Sequence, residues 1–100
     1  MITIKIDKKN NNFYAIEVKG HANSADYGKD LICAGVSCIT FGLLDALDSK
    51  KIKFKEEVKE GYFYLNILQP NDVSNMMMET AYLQLSYMQK NYSEFIRIRK

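Results

Sequence analysis

The chain begins with strict alternation. Ile2, Ile4 and Ile6 are interleaved with Thr3, Lys5 and Asp7, the period-two pattern of a strand with one buried face. Lys8 to Asn12 is a polar run and predicts a turn. Tyr14, Ile16 and Val18 then alternate with Ala15, Glu17 and Lys19, completing an antiparallel hairpin that ends at Gly20. His21 to Lys29 carries no apolar periodicity, so a loop of roughly ten residues is expected, a length that in compact domains is often functional. The period changes at Ile32. Ile32, Val36, Ile39, Leu43 and Leu47 form one row of an amphipathic helix, with Asp30 as a candidate N-cap. Gly35, Cys38, Gly42 and Ala46 form a second, small-residue row. Glycine within a helix costs about 1 kcal/mol relative to alanine. A close approach by the other helix, the sheet or a second subunit is the expected compensation, with Cys38 as packing.

Ser49 to Lys51 breaks the helix. Ile52, Phe54 and Val58 share parity with Glu56, opposite a charged row of Lys53, Lys55, Glu57 and Lys59. Glu60–Gly61 signals a turn, and Phe63, Leu65 and Ile67 alternate with Tyr62, Tyr64 and Asn66, giving a second hairpin. Beyond Pro70, Asn71 or Asp72 can cap a second helix. Its predicted inner face is Val73, Met76, Thr80, Leu83 and Tyr87, widened by Met77, Ala81 and Met88, with the methionines as adaptable packing. Asn91 can end it, and Phe95 to Arg99 alternates as a short edge strand. The expected fold is a single α+β domain over residues 1–100. An antiparallel sheet of two hairpins carries two helices in the order ββαββα, with a possible short C-terminal strand.

Composition narrows the function classes. With 47% hydrophobic residues the chain is not of the disordered class. No uninterrupted apolar run approaches the ~18–20 residues that cross a bilayer, and the charged, alternating N-terminus lacks a signal-peptide core. A cytoplasmic protein with reduced thiols and no membrane partner is expected. A net charge of +2 is too slight for a nucleic-acid footprint, and the basic end Arg97, Arg99 and Lys100 reads as a solvated terminus, so no direct nucleic-acid binding is expected. The two cysteines sit five residues apart on one helix, about 140° around its axis, and so do not pair. One histidine and two cysteines at this spacing make no zinc pattern, and no metal or cofactor is expected.

The chemistry-bearing residues concentrate between Gly20 and Ser37. His21 leaves a strand and Cys33 begins a helix, where the partial positive charge of the helix start and a nearby imidazole both favour a thiolate. Cys33 is the candidate nucleophile and His21 its ion-pair partner and proton donor to the leaving amine, in a dyad completed by substrate. The N–H groups of Cys33 and Ala34 are candidate oxyanion donors, and Ala34 is small enough to admit a substrate backbone. Asp30 can orient His21, bind substrate or cap the helix, and capping is favoured. Ser37 shares the face of Cys33 one turn on, where it can bond near the site or to its own helix. Ser24, Asp26 and Tyr27 can close over substrate or remain solvated.

These residues carry a family resemblance. The run GHA, a short loop, then YGKDLICAGVS resembles the signature of the ribosomal-processing cysteine proteases, the Prp family. Gly20, His21, Ala22, Gly28, Asp30, Cys33, Ala34 and Ser37 match it, and Leu31 and Ile32 are mild departures within its apolar positions. The flanking element order is similar, so the likeness covers essentially the whole chain. It implies a cysteine endopeptidase that removes the N-terminal extension of a large-subunit ribosomal protein, the one numbered twenty-seven. It also implies cleavage between an aromatic residue and Ala, a homodimer and a loop that is mobile before substrate arrives. Ile32 and the loop are the candidates for the aromatic pocket. The competing classes are a non-catalytic ribosome-associated binding module, favoured by the mild basicity and the Lys/Glu strand, and a thiol redox protein.

Overall fold

The computed structural model describes residues 1–22 and 30–99. Its elements run β1 (Ile2–Lys9), β2 (Asn12–Lys19), α1 (Leu31–Ser49), β3 (Phe54–Lys59), β4 (Tyr62–Ile67), α2 (Asp72–Asn91) and β5 (Ile96–Arg99). The strands form one sheet in the order β3-β4-β2-β1-β5. Ile2, Ile4 and Ile6, Ile16 and Val18, and Phe63, Leu65 and Ile67 are buried on the face that carries the helices. The expected α+β order is therefore present, and the C-terminal strand is real. It pairs parallel to β1, however, so the sheet is mixed rather than antiparallel. The long crossover through α2 returns the chain in the direction of β4, and parallel neighbours need such a crossover.

The first hairpin turns at Asn10 and Asn11, both with positive φ (54° and 64°), as a two-residue turn with matching twist requires. The register then shifts between Asp7 and Lys8. This bulge replaces the predicted inward Tyr14 with Phe13, which is buried and lies with its ring 5.9 Å from that of Tyr82 on α2. The Phe13 amide donates to Asn75 Oδ1 at 2.9 Å. Ile52, expected in β3, precedes that strand.

In α1 the predicted row Ile32, Val36, Leu43 and Leu47 is buried, joined by Thr40 and Leu44. The helix is long and apolar enough by composition to cross a bilayer, but that buried row makes it the core helix of the domain. The small-residue row is only partly compensated. A Cβ on Gly35 would lie 2.8 Å from Met88 Cε, whereas one on Gly42 would meet nothing within 4 Å, and Cys38 is exposed.

Helix α2 departs most from expectation. Asn71 caps it in a reciprocal box with Ser74, and the buried row is Ser74, Met78, Ala81 and Leu85. The predicted inner row is largely outside: Val73, Met76, Leu83 and Tyr87 are exposed. Both rows have helical spacing, and the sheet selected the one containing the capping serine.

This correction predicts unequal costs for two identical substitutions. Leu85→Ala should cost about 2–5 kcal/mol in chemical denaturation, as for a buried leucine. Leu83→Ala in dilute protein should cost within about 0.5 kcal/mol. Equal costs would restore the rejected inner face.

Candidate active site

The site forms where β2 hands over to α1. Gly20 ends β2 with φ +94°, and a Cβ there would collide with the Met1 carbonyl oxygen, so this position takes glycine for both reasons. Its amide donates to the Gly61 carbonyl at 2.9 Å, tying the end of β2 to the β3–β4 turn. The Met1 nitrogen donates to the His21 carbonyl at 2.7 Å. The backbone on either side of His21 is thereby held by two separate strands' ends.

Asp30 caps α1. Its Oδ1 accepts from the amides of Ile32 (3.1 Å) and Cys33 (3.0 Å), and its carbonyl accepts from Ala34 at 3.1 Å. The favoured capping role is thus present. In this state the Cys33 and Ala34 amides, the candidate oxyanion donors, are both engaged by Asp30. Another amide faces the sulfur instead: Ala22 N–H donates to Cys33 Sγ at 3.3 Å. A donor at this position stabilises negative charge on sulfur.

His21 and Cys33 line one cleft of about 130 Å³, together with Gly20 and Ser37. Cys33 is half-buried and His21 exposed. Ala34 is exposed at the helix start, and Ser37 is exposed one turn beyond Cys33. Ile32 is in the core and is not among the residues lining this cleft. The predicted loop residues Ser24, Asp26, Tyr27 and Gly28 lie outside the described residues.

Gly61 is the site residue that sequence reading took only for a turn. Its φ is +71°, and a Cβ on it would lie 2.9 Å from His21 Nε2. The imidazole therefore rests over a position that only glycine leaves open. Tyr62, next in sequence, also borders the cleft and donates its hydroxyl proton to Glu17 Oε2 at 2.9 Å. That hydrogen bond, then burial and the Glu17 charge, push the phenol above its ordinary range and keep it neutral. Among the described residues no three His, Cys, Asp or Glu side chains gather as a metal site.

The arrangement suits nucleophilic attack by sulfur with a nearby imidazole to move the proton. It predicts that Gly61→Ala displaces the ring. A shift of this kind should lower kcat/KM for peptide cleavage about 10²-fold, as roughly 1 Å of misplacement does. Wild-type kcat/KM in a folded Gly61→Ala protein would show that the ring does not depend on this opening.

Known proteins share this architecture. The family model described as "Cysteine protease Prp" matches residues 1–97. A Mycoplasma genitalium protein named ribosomal processing cysteine protease Prp is 31% identical over 100 residues, spanning 100% of this chain and 96% of its own. The Staphylococcus aureus protein of that name is 30% identical over 83 residues, or 79% of this chain and 78% of its own. A crystal structure of the Staphylococcus aureus ribosomal processing protease Prp, in complex with a covalently linked product peptide, superposes with a TM-score of 0.94. It shares 26% identity and covers 99% of this chain and 98% of that one. With a family match over nearly all its length, the same fold and relatives at this identity, the chain belongs to the cysteine protease Prp family.

Proposed function

We propose that this protein removes the N-terminal extension from the precursor of a large-subunit ribosomal protein, the one numbered twenty-seven. The observation that carries the reading is local: Cys33 Sγ at the start of α1 accepts the amide next to His21, and both side chains face one cleft. The Cys33 thiolate attacks the scissile carbonyl, and His21 passes its proton to the departing amine. The amine leaves with the mature ribosomal protein, and the extension stays on Cys33 as a thioester. Water, deprotonated by His21, then releases the extension as a carboxylate and restores the thiol. Ala22 N–H, which donates to the sulfur, favours its thiolate form. Asp30, Ala34, Ser37 and Gly20 support the site by capping, by leaving room and by fixing the backbone. The covalently linked product peptide in the Staphylococcus aureus relative fits a thioester route. The substrate assignment leans on the family and on the relatives' name.

The test is cleavage of a peptide bearing the ribosomal extension and its Phe–Ala junction. Cys33→Ala should abolish cleavage, Cys38→Ala should retain it, and His21→Ala should lower kcat about 10²–10⁴-fold. Equal rates for all these variants would remove the mechanism. Cys33 alkylation without peptide cleavage would identify a thiol redox protein, and neither activity a binding module.

The same reading places the protein in the cytoplasm, where its substrate is made and where its two free thiols stay reduced. It includes a homodimer that closes the groove between α1 and α2. Cys38, Gly42, Ala46, Met76 and Thr80 line that groove, about 410 Å³ in volume. Met76 and Tyr87, each 70% exposed, lie on the adjoining uncovered face of α2. A second copy would give Gly42 the close neighbour that it lacks in one chain. Sedimentation equilibrium at micromolar concentration should show a dimer that Met76→Lys converts to monomer. A wild-type monomer would exclude this assembly.

A further inference from the structure

The cleft continues past Cys33. On β3, Phe54, Glu56 and Val58 share the sheet face that the helices cover elsewhere, through their pairing with Ile67, Leu65 and Phe63. Phe54 packs against the core, but Glu56 is exposed and Val58 is 45% exposed. From the opposite wall, Phe41 of α1 is also 45% exposed, although its ring meets Phe63 edge-on at 5.7 Å and 79°. Phe41, Val58 and Phe63 all line the concavity that contains Cys33 and His21. Scattered exposed apolar side chains need no explanation. Two on facing walls of a cleft that holds a nucleophile make a graspable apolar surface continuous with the reacting centre.

We infer that Phe41 and Val58, backed by Phe63, form a specificity subsite that takes an apolar side chain of the peptide substrate, two to four residues from the scissile bond. This rests on the protease reading above. The spacing follows from geometry. Phe41 lies two helical turns beyond Cys33, about 12 Å along the axis. Both side chains lean toward the N-terminus, the longer phenyl ring further than the sulfur, so the ring lies roughly 6–12 Å from the sulfur's level. An extended peptide advances about 3.3 Å per residue, which brings its second to fourth residue there. Alternate side chains of an extended peptide face one wall, so a single one of these positions should dominate. Phe41, Val58 and Phe63 present hydrocarbon to one another between the polar Ser37, Thr40 and Lys59 of the same cleft, so the subsite they form selects an aliphatic or aromatic group over a charged one.

The experiment measures kcat/KM for peptides in which each residue within four of the junction, on either side, is replaced in turn by Ala. Wild type should prefer Leu or Phe over Ala by about tenfold or more at one position two to four residues from the junction, the range an apolar pocket gives. In Val58→Ser and in Phe41→Ala that preference should fall to near unity, while preferences at the other positions persist. Val58→Thr, nearly equal in shape and on an exposed strand, keeps the test open if Phe41→Ala folds poorly, and should weaken the same preference alone. Undiminished selectivity in both Val58 variants overturns the subsite, as does a wild type with no preference at these positions. If wild type cleaves none of the peptides, the protease reading itself fails, an outcome distinct from intact cleavage with unaltered selectivity.

Discussion

One backbone amide joins the two halves of the site. Ala22 N–H reaches Cys33 Sγ across the end of β2 and the start of α1, 11 residues apart in sequence. For that contact to exist, β2 must stop at Gly20 in a conformation that favours glycine, and α1 must start at Asp30 with its first turn wound tight by the cap. The Gly20–Gly61 and Met1–His21 hydrogen bonds hold the strand end from two directions. The sulfur is thereby placed by backbone at the ends of two regular elements.

Much of this was legible in the chain because period decides face. The alternating isoleucines of β1 and the row Ile32, Val36, Leu43 and Leu47 of α1 are inside in sequence and in structure, while Ile39 of that row is only partly buried. The failures occur where two solutions have equal period. Helix α2 has an apolar row on either side of Ser74, and nothing local reveals that the buried capping box commits Ser74, and so Met78 and Leu85, to the sheet. The bulge at Tyr14 is similar. One inserted residue exchanges Phe13 for Tyr14, and period-two reading has no means to detect a change of register. The parallel direction of β5 follows from a crossover, which is a property of the whole topology.

The site divides along the same line. His21, Asp30 and Cys33 announce themselves by residue type and by position at element ends. Gly61 and Ala22 do not, because they contribute space and a backbone amide, which carry no side-chain signature. Gly61 meets His21 only because the sheet sets β4 beside β2 and so brings the β3–β4 turn to the end of β2. The Cys33 and Ala34 amides are engaged for a related reason. A helix start offers several donors, and a strong N-cap consumes the ones nearest the nucleophile.

The exposed walls of the cleft have a geometric origin. Helices pack 8–10 Å apart, and strands lie about 4.8 Å apart, so two helices roof about four strands. This sheet has five. Helix α2 rests against β2 and β5, which leaves α1 toward β4, and among the described residues no third helix covers β3. The inner face of β3 is therefore covered only at Phe54, and Val58 and Phe41 remain half in solvent beside it. Their exposed apolar area contributes less to folding stability than full burial would. This strand lies on the side of α1 where Cys33 also points into the cleft. The same shortage of helix that weakens the core thus leaves an apolar channel running from the sulfur, ready to be filled by the extended peptide it cuts.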